Sequence, residues 1–255
     1  MTSEMPPQVL AADDDPVSLH FLAAALRQLD CAVTAVASGG AVLAACAEQE
    51  FALLLLDRRM PDLGGAALLR ALRERGHRTI AIATSAELDL AIRAELRAAG
   101  YADALTKPLS VDGLARLLGE RLPHWQAPSQ IQTVAAVRSA TPDLLDDAAA
   151  LASVGGDANT LRALRDLLAQ ELEATIPGIA AAQAPLSAQE LRDFLHRLRA
   201  SCRYCGTPAL GAAAARLAAE LGADATNQQP TLIDFLDVCA RTAAALAAQG
   251  STDAS

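Results

Sequence analysis

The 255-residue chain carries 21 Lys+Arg against 30 Asp+Glu, and the segments 1–122 and 123–255 have formal charges of −4 and −5, so neither offers the basic face of a nucleic-acid binder. No run of 18 apolar residues occurs, the acidic start MTSEMPPQVLAADDD lacks a secretory pattern, and five scattered Cys make no disulfide framework. The expectation is a soluble, cytoplasmic protein without membrane insertion, helix-rich because Ala and Leu dominate a hydrophobic content of 52% with only 3% aromatics.

Apolar runs with little polar alternation predict strands at Gln8–Ala12, Ala32–Val36, Ala52–Leu56, Thr79–Ala83 and Ala102–Leu105. Helical stripes separate them, among them Leu19, Leu22, Leu26 and Leu29, and later Val111, Leu114, Leu118 and Leu122. Asp15 followed by Pro16 reads as an N-cap and first helical residue. Five consecutive βα units imply an α/β fold, a doubly wound parallel sheet in residues 1–122. Residues 123–140 lose periodicity and read as a linker, which Trp125, the only Trp, is placed to pin to one domain. Residues 141–250 show no strand. A short helix from Thr141-Pro142 is followed by the Gly155-Gly156 break and four long stripes, built on Leu161–Leu172, Leu191–Cys205, Leu210–Leu221 and Leu232–Leu246. These predict an all-α domain, an antiparallel four-helix bundle, with Pro177 kinking its first helix or ending a turn and 251–255 as a disordered tail.

In an open parallel sheet, ligands bind beyond the C-terminal strand ends. There the sequence places Asp13, Asp14 and Asp15, then Asp57, then Thr84 and Ser85, then Lys107-Pro108. With strand order 2-1-3-4-5 these converge on one rim. Lys107 is the only Lys; the other 20 basic residues are Arg, so an ammonium retained here is a candidate for chemistry. Clustered carboxylates repel unless a cation sits among them, and hard oxygen donors with open positions suit Mg²⁺. A metal, an ammonium and a hydroxyl around a carboxylate nucleophile suit phosphoryl transfer, with an acyl phosphate on Asp57 as product.

On the motifs VLAADDDPVS, LLLLDRRMPDLGG, AIATSA and LTKPL, residues 8–121 resemble a response-regulator receiver domain, with the flavodoxin-like fold of that family. The resemblance implies that Asp57 is the phosphoacceptor, that Asp13, Asp14, Asp57 and the backbone carbonyl of Arg59 hold Mg²⁺, and that Thr84 and Lys107 contact the phosphoryl group. It also matches Met60-Pro61 and Gly64-Gly65 to the loop after the acceptor. The chain departs from the pattern at Ala104, three residues before the Lys, where receivers usually carry an aromatic switch residue; Tyr101 stands in the wrong place to replace it. Arg58 and Arg59 after the acceptor are a second departure.

On helix 187–205, His196 lies roughly 140° from the apolar stripe, on the solvent side. Arg192, Arg199 and Arg203 share its side, and small Ala200 is expected to leave the imidazole open to a partner. The segment HRLRASCRYCGTPAL resembles the acceptor helix and turn of a histidine phosphotransfer (HPt) domain, like those of hybrid sensor kinases of the BarA/GacS type. The resemblance makes His196 the phosphorylated His, and Arg192, Arg199, Ala200 and Arg203 around it are the expected docking surface. Cys202 and Cys205 fall on the core face and read as small hydrophobes. His20, His77 and His124 are isolated.

The expected protein is therefore a phosphorelay component and not an enzyme in its own right. It takes phosphate on Asp57 from an upstream histidine kinase and exchanges it through His196 with a downstream response-regulator receiver. No kinase ATP-binding motif is present, so both partners act in trans. Alternatives are a phosphate sink or docking scaffold, and a covalent-aspartyl phosphatase, which would require a second acid where Arg59 stands. The N-terminal Met favours an independent chain over a piece of a longer hybrid kinase.

Overall fold

The computed structural model describes residues 5–60, 62–128, 144–180, 187–221 and 229–252. The chain divides into two compact units, Met1–Thr133 and Val134–Ser255.

In the first unit five strands alternate with five helices. In chain order they are β1 (Gln8–Ala12), α1 (Pro16–Gln28), β2 (Ala32–Val36), α2 (Gly39–Glu48), β3 (Leu53–Asp57), α3 (Gly65–Glu74), β4 (Ile80–Ser85), α4 (Leu90–Ala99), β5 (Asp103–Thr106) and α5 (Val111–Arg121). All neighbouring strands pair in parallel, in the order β2-β1-β3-β4-β5. Alternate strand residues Leu10, Ala12, Leu54, Leu56, Ala81 and Ala83 share one apolar cluster with Val42, Leu68, Leu69, Leu72 and Leu96 from α2, α3 and α4. α1 packs on α5, so the helices form two groups. The central strands are buried on both faces, whereas β2 at the edge is only half-buried.

The predicted first two strands coincide with β1 and β2. The last three are displaced toward their C-termini, because parallel pairing continues through polar residues, Asp57 opposite Thr84 and Ser85 opposite Thr106. Asp57 is thus the last residue of β3. The Asp15 cap is as expected: its carboxylate accepts from the Ser18 amide at 3.0 Å and Pro16 opens α1. Trp125 belongs to this unit. Its indole Nε1 donates to the Leu29 carbonyl at 2.9 Å, so the first residues of the predicted linker are fastened to α1's end. Residues 129–140 of that linker, Thr141-Pro142 and Pro61 lie outside the described residues.

The described part of the second unit is helical: α6 (Asp147–Ser153), α7 (Ala158–Ala180), α8 (Ala188–Cys205), α9 (Pro208–Glu220) and α10 (Gln229–Thr252). α7 packs on α8, α8 on α9, α9 on α10 and α10 back on α7, a closed cycle. Its core holds the predicted stripe residues Leu164, Leu168, Leu172, Leu195, Leu198, Leu210, Ala214, Phe235 and Cys239, all fully buried. Leu191, Leu221 and Leu232 of those stripes are only half-buried.

Three sequence expectations need correction here. The short helix begins at Asp147, because the Asp146 side chain accepts the Ala149 amide at 3.0 Å and fixes its start. α7 runs on past Pro177 to Ala180, so Pro177 does not end a turn there. α10 extends through Thr252, two residues into the predicted tail, of which 253–255 lie outside the described residues.

α8 starts in a capping box of Ser187 and Glu190 and ends at Gly206 in the left-handed conformation, φ 63°. Arg165, buried on α7, ties the unit together. Its guanidinium donates to the Cys205 carbonyl at 3.0 Å and to Gln249 Oε1 at 2.6 Å, and pairs with Asp147 Oδ1 at 2.7 Å.

Candidate functional site

The C-terminal ends of β1, β3, β4 and β5 carry the predicted rim residues to one place. Asp13, fully buried, follows β1; Asp57, 5% exposed, ends β3; Thr84 sits beside it on β4. One carboxylate oxygen each from Asp13, Asp14 and Asp57 lie within 4.8 Å of one another. Lys107 reaches in from the end of β5, and its Nζ lies 2.6 Å from both Asp13 Oδ2 and Asp57 Oδ1. The Arg59 amide donates to Asp57 Oδ2 at 2.7 Å, and the Asp15 amide to Asp13 Oδ1 at 3.1 Å.

The one ammonium pairs with two buried carboxylates of the cluster, Asp13 and Asp57, so negative charge is in excess there. Burial pushes the Asp13 carboxyl well above the usual range; Lys107 draws it down, and Asp57 and Asp15 push it up again. Burial works against the charge of Lys107, but Asp13 and then Asp57 outweigh it and hold the ammonium above its ordinary range. The Thr84 hydroxyl is buried with no hydrogen-bond partner among the described residues. Surplus negative charge on hard oxygen donors, beside an unsatisfied hydroxyl, fits a divalent cation of the Mg²⁺ type together with an oxyanion.

Of the two arginines after Asp57, Arg58 is half-buried and Arg59 exposed. Arg58 Nε donates to Ser85 Oγ at 3.3 Å, and the Arg59 guanidinium lies 4.0 Å from Glu87. Sequence reasoning missed two contacts of this loop. Asp62 accepts from the Gly39 and Gly40 amides at 3.0 and 2.8 Å, joining the loop to the start of α2. These two amide bonds, Gly40's first, hold its carboxyl below the ordinary range. Tyr101, 4% exposed, donates its hydroxyl to the Gly65 carbonyl at 2.9 Å. Neither pairing has a local sequence signal, since 22 to 36 residues separate the partners.

In the second unit His196 is half-buried on α8, with Arg199 half-buried and Arg192 and Arg203 exposed. Arg199 and Arg203 line an open cavity of about 390 Å³ with Gly206, Pro208, Gly211 and Ala212. Ala200, expected beside the imidazole, is itself buried, 7% exposed. Cys202, Cys205 and Cys239 are buried, and burial, then neighbouring Cys202, pushes the Cys239 thiol up to about 12. His20 and His124 are exposed and His77 half-buried.

The family described as response regulator receiver domain matches residues 9–118. The chain is 30% identical over 244 residues to the sensor protein GacS of Pseudomonas syringae pv. syringae, covering 91% of this chain and 26% of that protein. It is 26% identical over 244 residues to the signal transduction histidine-protein kinase BarA of Escherichia coli K12, with 92% and 26% coverage. It thus spans about a quarter of the length of these curated relatives. Among solved structures it is similar to the receiver domain of sensor histidine kinase PA1611 from Pseudomonas aeruginosa PAO1, solved with a magnesium ion in its active-site cleft. Identity is 32%, covering 46% of this chain and 98% of that one, with a TM-score of 0.43. With the family match over residues 9–118 and an acid cluster closed by a lysine at the strand ends, residues 9–118 belong to the response regulator receiver family, a two-component signalling module.

Proposed function

We propose that the chain is a two-site phosphorelay protein: Asp57 accepts a phosphoryl group from a histidine kinase, and His196 exchanges one with a partner receiver. The observation that carries the first half is Lys107 bridging Asp13 and Asp57 at 2.6 Å within the three-carboxylate cluster. Asp13, Asp14, Asp57 and the Arg59 carbonyl would hold Mg²⁺, which when bound neutralises charge on the transferring phosphoryl oxygens. An Asp57 oxygen attacks the phosphorus of the donor phosphohistidine. The P–O bond forms as the P–N bond breaks, and the departing imidazole nitrogen takes up a proton. Lys107 and the Thr84 hydroxyl are the groups of this chain suited to meet the phosphoryl oxygens.

Three observations support reading the second unit as an HPt domain. α7–α10 pack in a closed cycle, as the helices of a four-helix bundle do. The half-buried His196 shares α8 with Arg192, Arg199 and Arg203. The similarity to GacS covers 91% of the chain, and so extends beyond the receiver match. The arginines suit an acidic partner pocket, and docking is expected to weaken with salt, since exposed charges are screened over about 10 Å at 0.1 M.

The test is a time course of labelled phosphate with purified kinase, this protein and a partner receiver. Asp57→Asn is expected to abolish acid-stable, base-labile label on the first unit. His196→Gln is expected to stop delivery to the partner while loading of Asp57 continues; Arg199→Ala and Arg203→Ala slow delivery without unfolding. Continued delivery from the His196→Gln protein overturns the HPt half and leaves a docking scaffold.

A further inference from the structure

Tyr101 closes a circuit around the acceptor. Gly100 ends α4 in the left-handed region, φ 99°, and the Tyr101 amide donates to the Leu96 carbonyl at 3.1 Å, so this residue is fixed between α4 and β5. Its ring lies in the apolar cluster of Met60, Leu68, Leu69 and Ala104. Its hydroxyl bonds the Gly65 carbonyl at 2.9 Å. Gly65 opens α3 at φ 48°, and a Cβ there would stand 3.0 Å from the Arg58 carbonyl, so the loop doubles back tightly on the residue after Asp57.

The connections run from Asp57 along the loop to Gly65, across the hydroxyl to Tyr101, along β5 to Lys107, and back through 2.6 Å to Asp57. One hydroxyl therefore ties the loop whose Arg59 amide grips Asp57 Oδ2 to the strand that aims Lys107 at Asp57 Oδ1. Ala104 carries no ring or hydroxyl with which β5 could do this itself.

We propose that Tyr101 is a positioning residue for the acceptor chemistry, holding the Arg58–Gly65 loop and Lys107 in register so that both meet the same bound oxyanion. The proposal rests on Asp57 being the phosphoacceptor. It assigns Tyr101 a task different from filling the core, and the two are separable, because Tyr101→Phe keeps the ring and removes only the bond.

The experiment compares the full-length wild type and Tyr101→Phe for acid-stable labelling by acetyl phosphate as a function of Mg²⁺ concentration, beside urea unfolding of each. The expected result is a folded variant whose labelling rate at saturating Mg²⁺ falls about three- to tenfold, the usual worth of one buried neutral hydrogen bond, and whose half-saturating Mg²⁺ concentration rises by a similar factor. A folded variant with lowered stability but unchanged rate and Mg²⁺ dependence overturns the proposal, since the hydroxyl is then merely structural. Should the variant not fold, the wild-type chain supplies the second measurement. On saturation with Mg²⁺ and beryllofluoride, the Gly65 carbonyl ¹³C resonance is expected to shift together with those of Asp57 and Arg59. Shifts at Asp57 and Arg59 with none at Gly65 overturn it equally. A wild-type chain that takes no label at Asp57 fails the acceptor reading, and the positioning role falls with it.

Discussion

Asp57→Asn removes the proposed nucleophile, yet the cluster's electrostatics predict that it does not weaken the metal-free fold. Asp57 has two carboxylate neighbours within 4.8 Å and one ammonium at 2.6 Å. Above about pH 8, where Asp13 too is ionised, each like-charged pair costs about 3.5 kcal/mol at an effective dielectric near 20 and the Lys107 pair returns about 6 kcal/mol. The negative charge of Asp57 therefore gains almost nothing from its neighbours and still bears the desolvation of a buried carboxylate. Asn keeps the shape and an oxygen for the Arg59 amide. The variant is expected to be as stable as wild type in EDTA, or more stable by up to about 2 kcal/mol. Saturating Mg²⁺ reverses the order, because only the wild type gains fully from binding, about 2.7 kcal/mol at a hundred times Kd. Native-state amide exchange at Leu10 and Leu55, buried in β1 and β3, reads the opening free energy of this unit with and without Mg²⁺. A loss above about 2 kcal/mol in EDTA, or an undiminished Mg²⁺ gain in the variant, refutes the charge imbalance of the site.

Arg165→Met is expected to cost about 1–3 kcal/mol, set by the orphaned Cys205 carbonyl, because Asp147 is mostly exposed and regains water; helical CD in urea measures it. Gly206→Ala is expected to cost about 3 kcal/mol or more and to strip exchange protection from α6, since its Cβ would meet the Asp146 carbonyl oxygen and Ala150 Cβ in a positive-φ conformation. The Cys239 thiol is held protonated in the fold up to about 12, while the unfolded chain ionises near 9. Stability from this group is thus complete below pH 9 and lost as pH rises from 9 toward 12, by about 1.4 kcal/mol per pH unit, and Cys239→Ala is expected to lack that part of the slope in alkaline urea titrations.

The features that could be read from the sequence were those with local causes. Buried strands announce themselves as apolar runs, Asp15-Pro16 announces a cap, and strand-end residues gather because parallel strands all finish on one rim. Strand ends were displaced because backbone pairing ignores side-chain polarity: Asp57, Thr84 and Ser85 remain in the ladder. Ala200 shows the limit of a helical wheel. Its angle placed it beside His196 on the outer side of the leucine stripe, yet it is buried. Contacts such as Tyr101 to Gly65 and Asp62 to Gly39 depend on where the fold brings distant loops, and no periodicity encodes them.

The fastening of Trp125 to Leu29 has an optical consequence. It is the single indole of the chain, half-buried, with its N–H engaged and its ring against Gly119. Its emission therefore reports the first unit alone, whereas ellipticity at 222 nm is weighted toward the helices of the second. Denaturation of the intact protein watched by both signals resolves two stabilities without cutting the chain: superimposable curves mean one cooperative block, and separated midpoints mean two blocks melting independently.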